Sequence, residues 1–211
     1  VTKQERAART RTALIRAAAE EFERRGYAET TLNDISLRCG VSTGALHFHF
    51  DSKATLAATV EEYAEDDLRR CVATARAAAH GTPGGALGEL IQVSHRVMDT
   101  LSVNPVVRAG VRLGFERHRS GGRLRQAWQE LVASLLRRAR QEGELTDEAA
   151  LDELETVLTA LLHGLVMLSQ ESLCWLEPSR LGSFWRLVLP RIATPQAATL
   201  LASASGPAPV Q

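Results

Sequence analysis

The stretch from Thr31 to Phe50 constrains this chain more tightly than any other, because it sets cap, helix, turn, cap and helix in close succession. Thr31 can cap a short helix through its hydroxyl, and Leu32, Ile35 and Cys39 follow at helical spacing as one apolar face. Gly40 can take the left-handed backbone that ends a helix, and Val41 can point inward. Ser42 can then cap a second helix through Thr43 to His49. In that helix Leu46 and Phe50 lie four apart and face a core, which leaves Ser42, Thr43, Gly44, Ala45, His47 and His49 for the other side. Such a small, polar face suits close approach to a major groove, and the pair reads as a helix-turn-helix.

With its flanks the stretch resembles the TetR family of bacterial transcriptional regulators. The resemblance is carried by Ala18, Phe22, Gly26-Tyr27, Thr30-Thr31, Ile35, Gly40-Val41-Ser42, Gly44-Ala45-Leu46, His49-Phe50, Ser52-Lys53 and Leu56. It implies an all-α chain: an N-terminal three-helix helix-turn-helix domain, then a C-terminal helical ligand-binding and dimerisation domain, about nine helices in all. Within that reading Arg11, Thr31, His47, His49 and Lys53 position the protein on phosphates, whereas Thr43, Gly44 and Ala45 meet bases. One departure matters. The family usually carries Tyr where this chain has His47, so a phenol's phosphate contact falls to an imidazole.

The net charge of zero is awkward for a DNA binder until it is divided along the chain. Lys3, Arg6, Arg9, Arg11 and Arg16 face only Glu5 within the first sixteen residues, whereas residues 141–160 hold seven acids and no Lys or Arg. Attraction to phosphate can therefore be local to the N-terminal end. The acids equally suit a solvated helix start. Residues 1–9 read as a mobile basic arm or a disordered tail, and helices are expected over about 10–25 and 52–78.

Further helical patterns follow His80-Gly-Thr-Pro-Gly-Gly85, Asn104-Pro105 and Ser120-Gly121-Gly122. The stretch from Asp147 to about Ser172 is apolar on nearly every face between Leu158 and Leu168, and so needs burial on more than one side. With a last helix at about Pro178 to Arg191 it makes a natural pair for a twofold four-helix bundle, with Leu161, Leu165, Leu168, Leu181, Phe184, Trp185 and Val188 as interface residues. Ala193 to Gln211 lacks charge, and partial disorder is expected there with one turn near Ala197 to Ala202. The expected division is a DNA-binding domain with its arm at 1–50, a ligand-binding and dimerisation domain at 51–192, and a flexible tail at 193–211.

Patches outside the first fifty residues, Pro105-Val-Val-Arg-Ala-Gly-Val-Arg-Leu113, Trp128 and Leu176-Glu177-Pro178, are similar to the γ-butyrolactone receptor branch, actinobacterial regulators of antibiotic production and development. That resemblance implies a homodimer on an inverted-repeat operator in double-stranded DNA, released by a small effector. It also puts Trp128 at the position where a Trp lines the effector pocket. An indole supplies a flat apolar wall and one N–H donor, although an ordinary core Trp is the alternative. His163 and Met167, four apart, are further candidates, a polar handle and an adaptable wall. The effector could be a butyrolactone, an antibiotic or a biosynthetic intermediate.

Two other readings stay open, a repressor of an efflux or catabolic gene with an unrelated ligand, and a helical scaffold without an operator. An enzyme is disfavoured: no G-x-S-x-G, phosphate loop, G-x-G-x-x-G or H-E-x-x-H occurs, so no catalytic residue, cofactor or metal is expected. His47 and His49, two apart on a helix, point about 200° from each other and cannot chelate together. Cys39, Cys71 and Cys174 are odd in number and widely spaced, which fits small apolar filler better than disulfides. With no run of eighteen apolar residues and a charged N-terminus, a cytoplasmic location without membrane contact is expected.

Overall fold

A computed structural model describes residues 2–79, 84–117 and 122–204, and among them every regular element is helical. Ten α-helices run in the order α1 (Lys3–Glu29), α2 (Leu32–Cys39), α3 (Thr43–His49), α4 (Lys53–Ala79), α5 (Gly85–Val103), α6 (Pro105–Arg117), α7 (Gly122–Gln141), α8 (Leu151–Leu168), α9 (Pro178–Ile192) and α10 (Pro195–Ala204). A short 3-10 helix at Leu173–Leu176 precedes α9.

Contacts divide the chain into two compact units, residues 1–68 with 103–125 and residues 69–102 with 126–211. In the first unit Leu14, Ile15, Ala18 and Phe22 of α1 pack with Ile35, Leu46, Phe50, Leu56 and Val60. Ala109 and Leu113 of α6 complete this core. Polar contacts reinforce the packing of α6 on α1. Arg108, 8% exposed, forms an ion pair with Glu23, and Arg112 donates to the main-chain oxygen of Glu23. Gly110 lets α6 approach α4, since a Cβ there would lie 2.3 Å from that of Ala64.

In the second unit the buried residues include Leu87, Leu90 and Met98 of α5, Val132, Leu135 and Leu136 of α7, Leu158 and Val166 of α8, and Leu181 and Trp185 of α9. Glu89 is nearly buried and is held by Arg76 at 2.6 Å and Arg138 at 2.5 Å. Beyond α7 the backbone turns so that Thr146 N–H donates to the Ile192 carbonyl at 2.8 Å and Thr194 N–H to that of Glu144 at 2.9 Å.

Three expectations need correction. The first helix starts at Lys3, not near residue 10, because Thr2 and Glu5 form a reciprocal capping box and neither Gly nor Pro interrupts the stretch from there to Arg25. The basic arm is therefore helical. It also reaches Glu29, although Gly26, at φ +84°, leaves helical geometry inside it. At the other end Pro195 opens a ten-residue helix where one turn was expected. Residues 205–211, part of the expected tail, lie outside the described residues.

Candidate nucleic-acid interface

The caps read from the sequence form as expected. Thr31 Oγ1 accepts the Asp34 N–H at 3.2 Å while the Asp34 carboxylate accepts from the Thr31 N–H at 3.0 Å. Gly40 takes φ +71° and ends α2, and Ser42 Oγ accepts the Ala45 N–H at 3.2 Å. Both caps fix the angle between α2 and α3 by satisfying N–H groups that a short helix leaves open.

On α3, Leu46 is fully buried, while Ser42, Thr43, Gly44 and His47 are exposed and Ala45 and His49 are half-buried. Arg11 reaches the same end of the first unit, its guanidinium 5.0 Å from the centre of the Phe50 ring. Thr31 is exposed, but its hydroxyl is occupied, donating to Asp34 at 2.6 Å.

Lys53, expected on a phosphate, lies beside the turn between α1 and α2. Its ammonium donates to the carbonyls of Tyr27 at 2.8 Å, Thr30 at 2.9 Å and Ala28 at 3.3 Å, and it lies 4.5 Å over the Tyr27 ring. Three donors are thus engaged by the turn between α1 and α2, which makes Lys53 a fastener of that turn. Phe48 was given no role in the sequence reading, yet it is 79% exposed on α3. Its place, two residues from both Leu46 and Phe50, was the available signal.

The candidates for effector binding lie in the second unit. Trp128 is 7% exposed and its Nε1 has no hydrogen-bond partner. Thr159 on α8, which sequence reasoning missed, is also 7% exposed with an unpartnered hydroxyl. His163 and Met167 are half-buried on the same helix, and His163 Nδ1 lies 2.7 Å from the Thr159 carbonyl oxygen. A lone Thr in an apolar helix carries no distinguishing pattern.

The seven residues expected at a dimer interface divide. Leu165, Leu181 and Trp185 belong to the unit's own core, with Trp185 Nε1 donating to Ser94 Oγ at 3.1 Å. Leu161, Phe184 and Val188 are half-buried and Leu168 is 38% exposed. Val157 and Leu187, 48% and 76% exposed, join them on the outside. Along α8, Val157, Leu161, Gly164 and Leu168 follow at intervals of four, three and four, one stripe of the helix. No helix among the described residues is long and apolar enough to cross a membrane.

Residues 14–60, which hold the capped helix pair, match the family model of bacterial regulatory proteins, tetR family. The helix-turn-helix region of the chain is thus that of the TetR family. A longer similarity points within it. The A-factor receptor protein of Streptomyces griseus is 27% identical over 197 residues, covering 92% of this chain and 68% of that one. The crystal structure of an ArpA-like γ-butyrolactone receptor superposes with a TM-score of 0.78 at 28% identity, covering 94% of this chain and 98% of the other. CprB of Streptomyces coelicolor, solved in complex with its biological operator sequence, gives 0.74 at 28% identity over 95% and 96%. With a TetR-type helix-turn-helix and similarity to γ-butyrolactone receptors over nearly its whole length, the chain is a DNA-binding regulator rather than an enzyme.

Proposed function

We propose that the protein is a ligand-responsive repressor, acting in the cytoplasm, that binds an inverted-repeat operator as a twofold homodimer and is released by a small, largely apolar effector. The exposed face of α3 supports the operator half of this reading, with His47 and His49 toward phosphates and Thr43, Gly44 and Ala45 at base edges. The stripe from Val157 to Leu168 on α8 and exposed Leu187 on α9 support the dimer, because apolar side chains in contact with water gain from a symmetric partner.

The observation that carries the ligand response is the unpartnered Nε1 of buried Trp128. A buried N–H without an acceptor costs about 1–3 kcal/mol, and an effector carbonyl or ring oxygen would remove that penalty. Thr159 and His163 supply further polar contacts and Met167 an adaptable wall. A γ-butyrolactone-type signal, an antibiotic and a biosynthetic intermediate all combine an apolar body with such an acceptor, and genes of secondary metabolism are the proposed targets. Release follows if the effector favours a dimer whose recognition helices are wrongly spaced, with α4 as the connecting element. A ten- to hundred-fold loss of operator affinity requires only about 1.4–2.8 kcal/mol of coupling.

Fluorescence anisotropy on inverted-repeat DNA from upstream of the protein's own gene, against scrambled probes at two salt concentrations, tests the reading. Specific binding by a dimer, lost on adding a butyrolactone or antibiotic in the wild type and retained in Trp128→Phe, is expected. Equal affinity for every probe would sink it.

A further inference from the structure

Phe48 is a large apolar side chain on α3 that the fold leaves uncovered. Leu46, two residues before it, is fully buried and Phe50, two after it, is 2% exposed, whereas Phe48 is 79% exposed. At about 100° per residue it stands about 200° round the helix from Leu46, on the side away from the core. Gly44, one turn earlier, shares that side, and a Cβ there would meet nothing nearer than Ser42 Oγ at 4.0 Å. A helical side chain leans toward the N-terminus, so the Phe48 ring stands over open space above Gly44. Its edge-to-face contact with His49, centroids 5.1 Å apart, steadies the ring without covering it.

The two imidazoles sit about 100° to either side of it, His47 and His49. On a helix lying in a major groove, this order directs the imidazoles toward the two walls of phosphates and the phenyl ring toward the floor. A phenyl ring has no hydrogen-bonding atom, so it cannot read a base edge by donor and acceptor. The apolar group that the major-groove floor offers is the C5-methyl of thymine.

Resting on the operator reading above, we infer that Phe48 is a specificity-determining residue that packs against thymine methyls at a fixed position in each half-site. It makes this regulator prefer T·A over C·G or U·A there through one apolar contact.

The test uses the full chain and the tightest-binding duplex that it selects from a random-sequence pool. Each thymine is replaced singly by deoxyuridine, which removes the methyl group and leaves the hydrogen-bonding edge unchanged. At one or two positions per half-site the wild type should lose about three- to five-fold in affinity, the worth of one buried methyl. Phe48→Ala should lose a similar factor on the thymine probe and be indifferent to deoxyuridine at those positions. Leu37→Ala, which removes a 71% exposed side chain from α2, should keep the wild-type pattern. Circular dichroism checks that each variant folds. If selected half-sites hold no thymine, if the wild type ignores every methyl deletion, or if Phe48→Ala keeps the wild-type sensitivity, the inference is overturned while operator binding stands. If no duplex outcompetes scrambled DNA, the operator reading fails and takes the inference with it.

Discussion

The two compact units treat their buried polar atoms differently. In the first, Thr30 is fully buried, and its hydroxyl donates toward the carbonyls of Gly26 at 2.7 Å and Glu21 at 3.2 Å. In the second, buried Thr159 and Trp128 keep a hydroxyl and an indole N–H without partners. The buried side-chain atoms without a hydrogen bond among the described residues all fall in this second unit, and they include the Nε atoms of Arg140 and of Arg138, the latter in an ion pair with Glu142 at 3.3 Å. Those arginines are otherwise bonded, Arg138 to Glu89 and Arg140 to the Ala149 carbonyl. Among the described residues, no buried side-chain nitrogen or oxygen of the first unit is left without a partner. The second forgoes stability at positions where a ligand could restore it.

The largest test of this contrast is Gly110→Ala in the first unit. The new Cβ would lie 2.3 Å from the Ala64 Cβ, and only backbone movement can relieve that overlap. A loss of about 2–3 kcal/mol is expected, a fall in Tm of roughly 4–10 °C by calorimetry. Next comes one substitution made in both units. Thr30→Val should cost about 1–2 kcal/mol because it removes a satisfied donor, whereas Thr159→Val should leave the apo protein unchanged or up to about 1 kcal/mol more stable. Equal losses at the two sites, read from urea midpoints, would erase the distinction between the units. Thr159→Val should also blunt the effector response.

The smallest effect is in pH dependence, where two glutamates should behave with opposite sign. Burial pushes the Glu21 carboxyl up, but hydrogen bonds and charges from Arg38 and Arg24 outweigh it and hold the group below the usual carboxylate value. Its stabilising contribution is complete above about pH 4.5 and disappears as pH falls through the lowered value. Glu144 is raised, chiefly by burial and further by Glu142, against the N–H groups of Leu87 and Ala86. Its contribution is complete below about pH 4.5 and is lost as pH rises through the raised value. In melts from pH 3.5 to 7, the deficit of Glu21→Gln relative to wild type should therefore shrink on acidification, while Glu144→Gln should gain on wild type as pH rises. Parallel slopes would contradict the assignment.

The contrast between the units also explains what could be read from the chain in advance. Thr31, Gly40 and Ser42 announced α2 and α3 because caps and left-handed glycines are local devices, set within four residues of sequence. The packing of α6 on α1 joins Glu23 to Arg108 across 85 positions and has no local signature. The contacts of Lys53 with the α1–α2 turn were not legible because its partners there are main-chain carbonyls, which any sequence possesses. Leu165, Leu181 and Trp185 looked like interface residues because helical periodicity identifies an apolar face without saying whether the same chain or a second copy covers it. Trp128 was singled out by resemblance, but only the structure exposed its missing acceptor.

The capping box at Thr2 has a calorimetric consequence. Lys3, Arg6 and Arg9 already stand on a formed helix, so a phosphate surface meeting them has no chain to order. Association with an operator should then draw on counterion release, with a heat-capacity change set by apolar contacts alone and no folding component from an arm. Titrations across a range of temperatures should give a small, nearly constant heat-capacity change. Alanine at Arg6 and Arg9 should reduce the salt slope without altering the heat-capacity change.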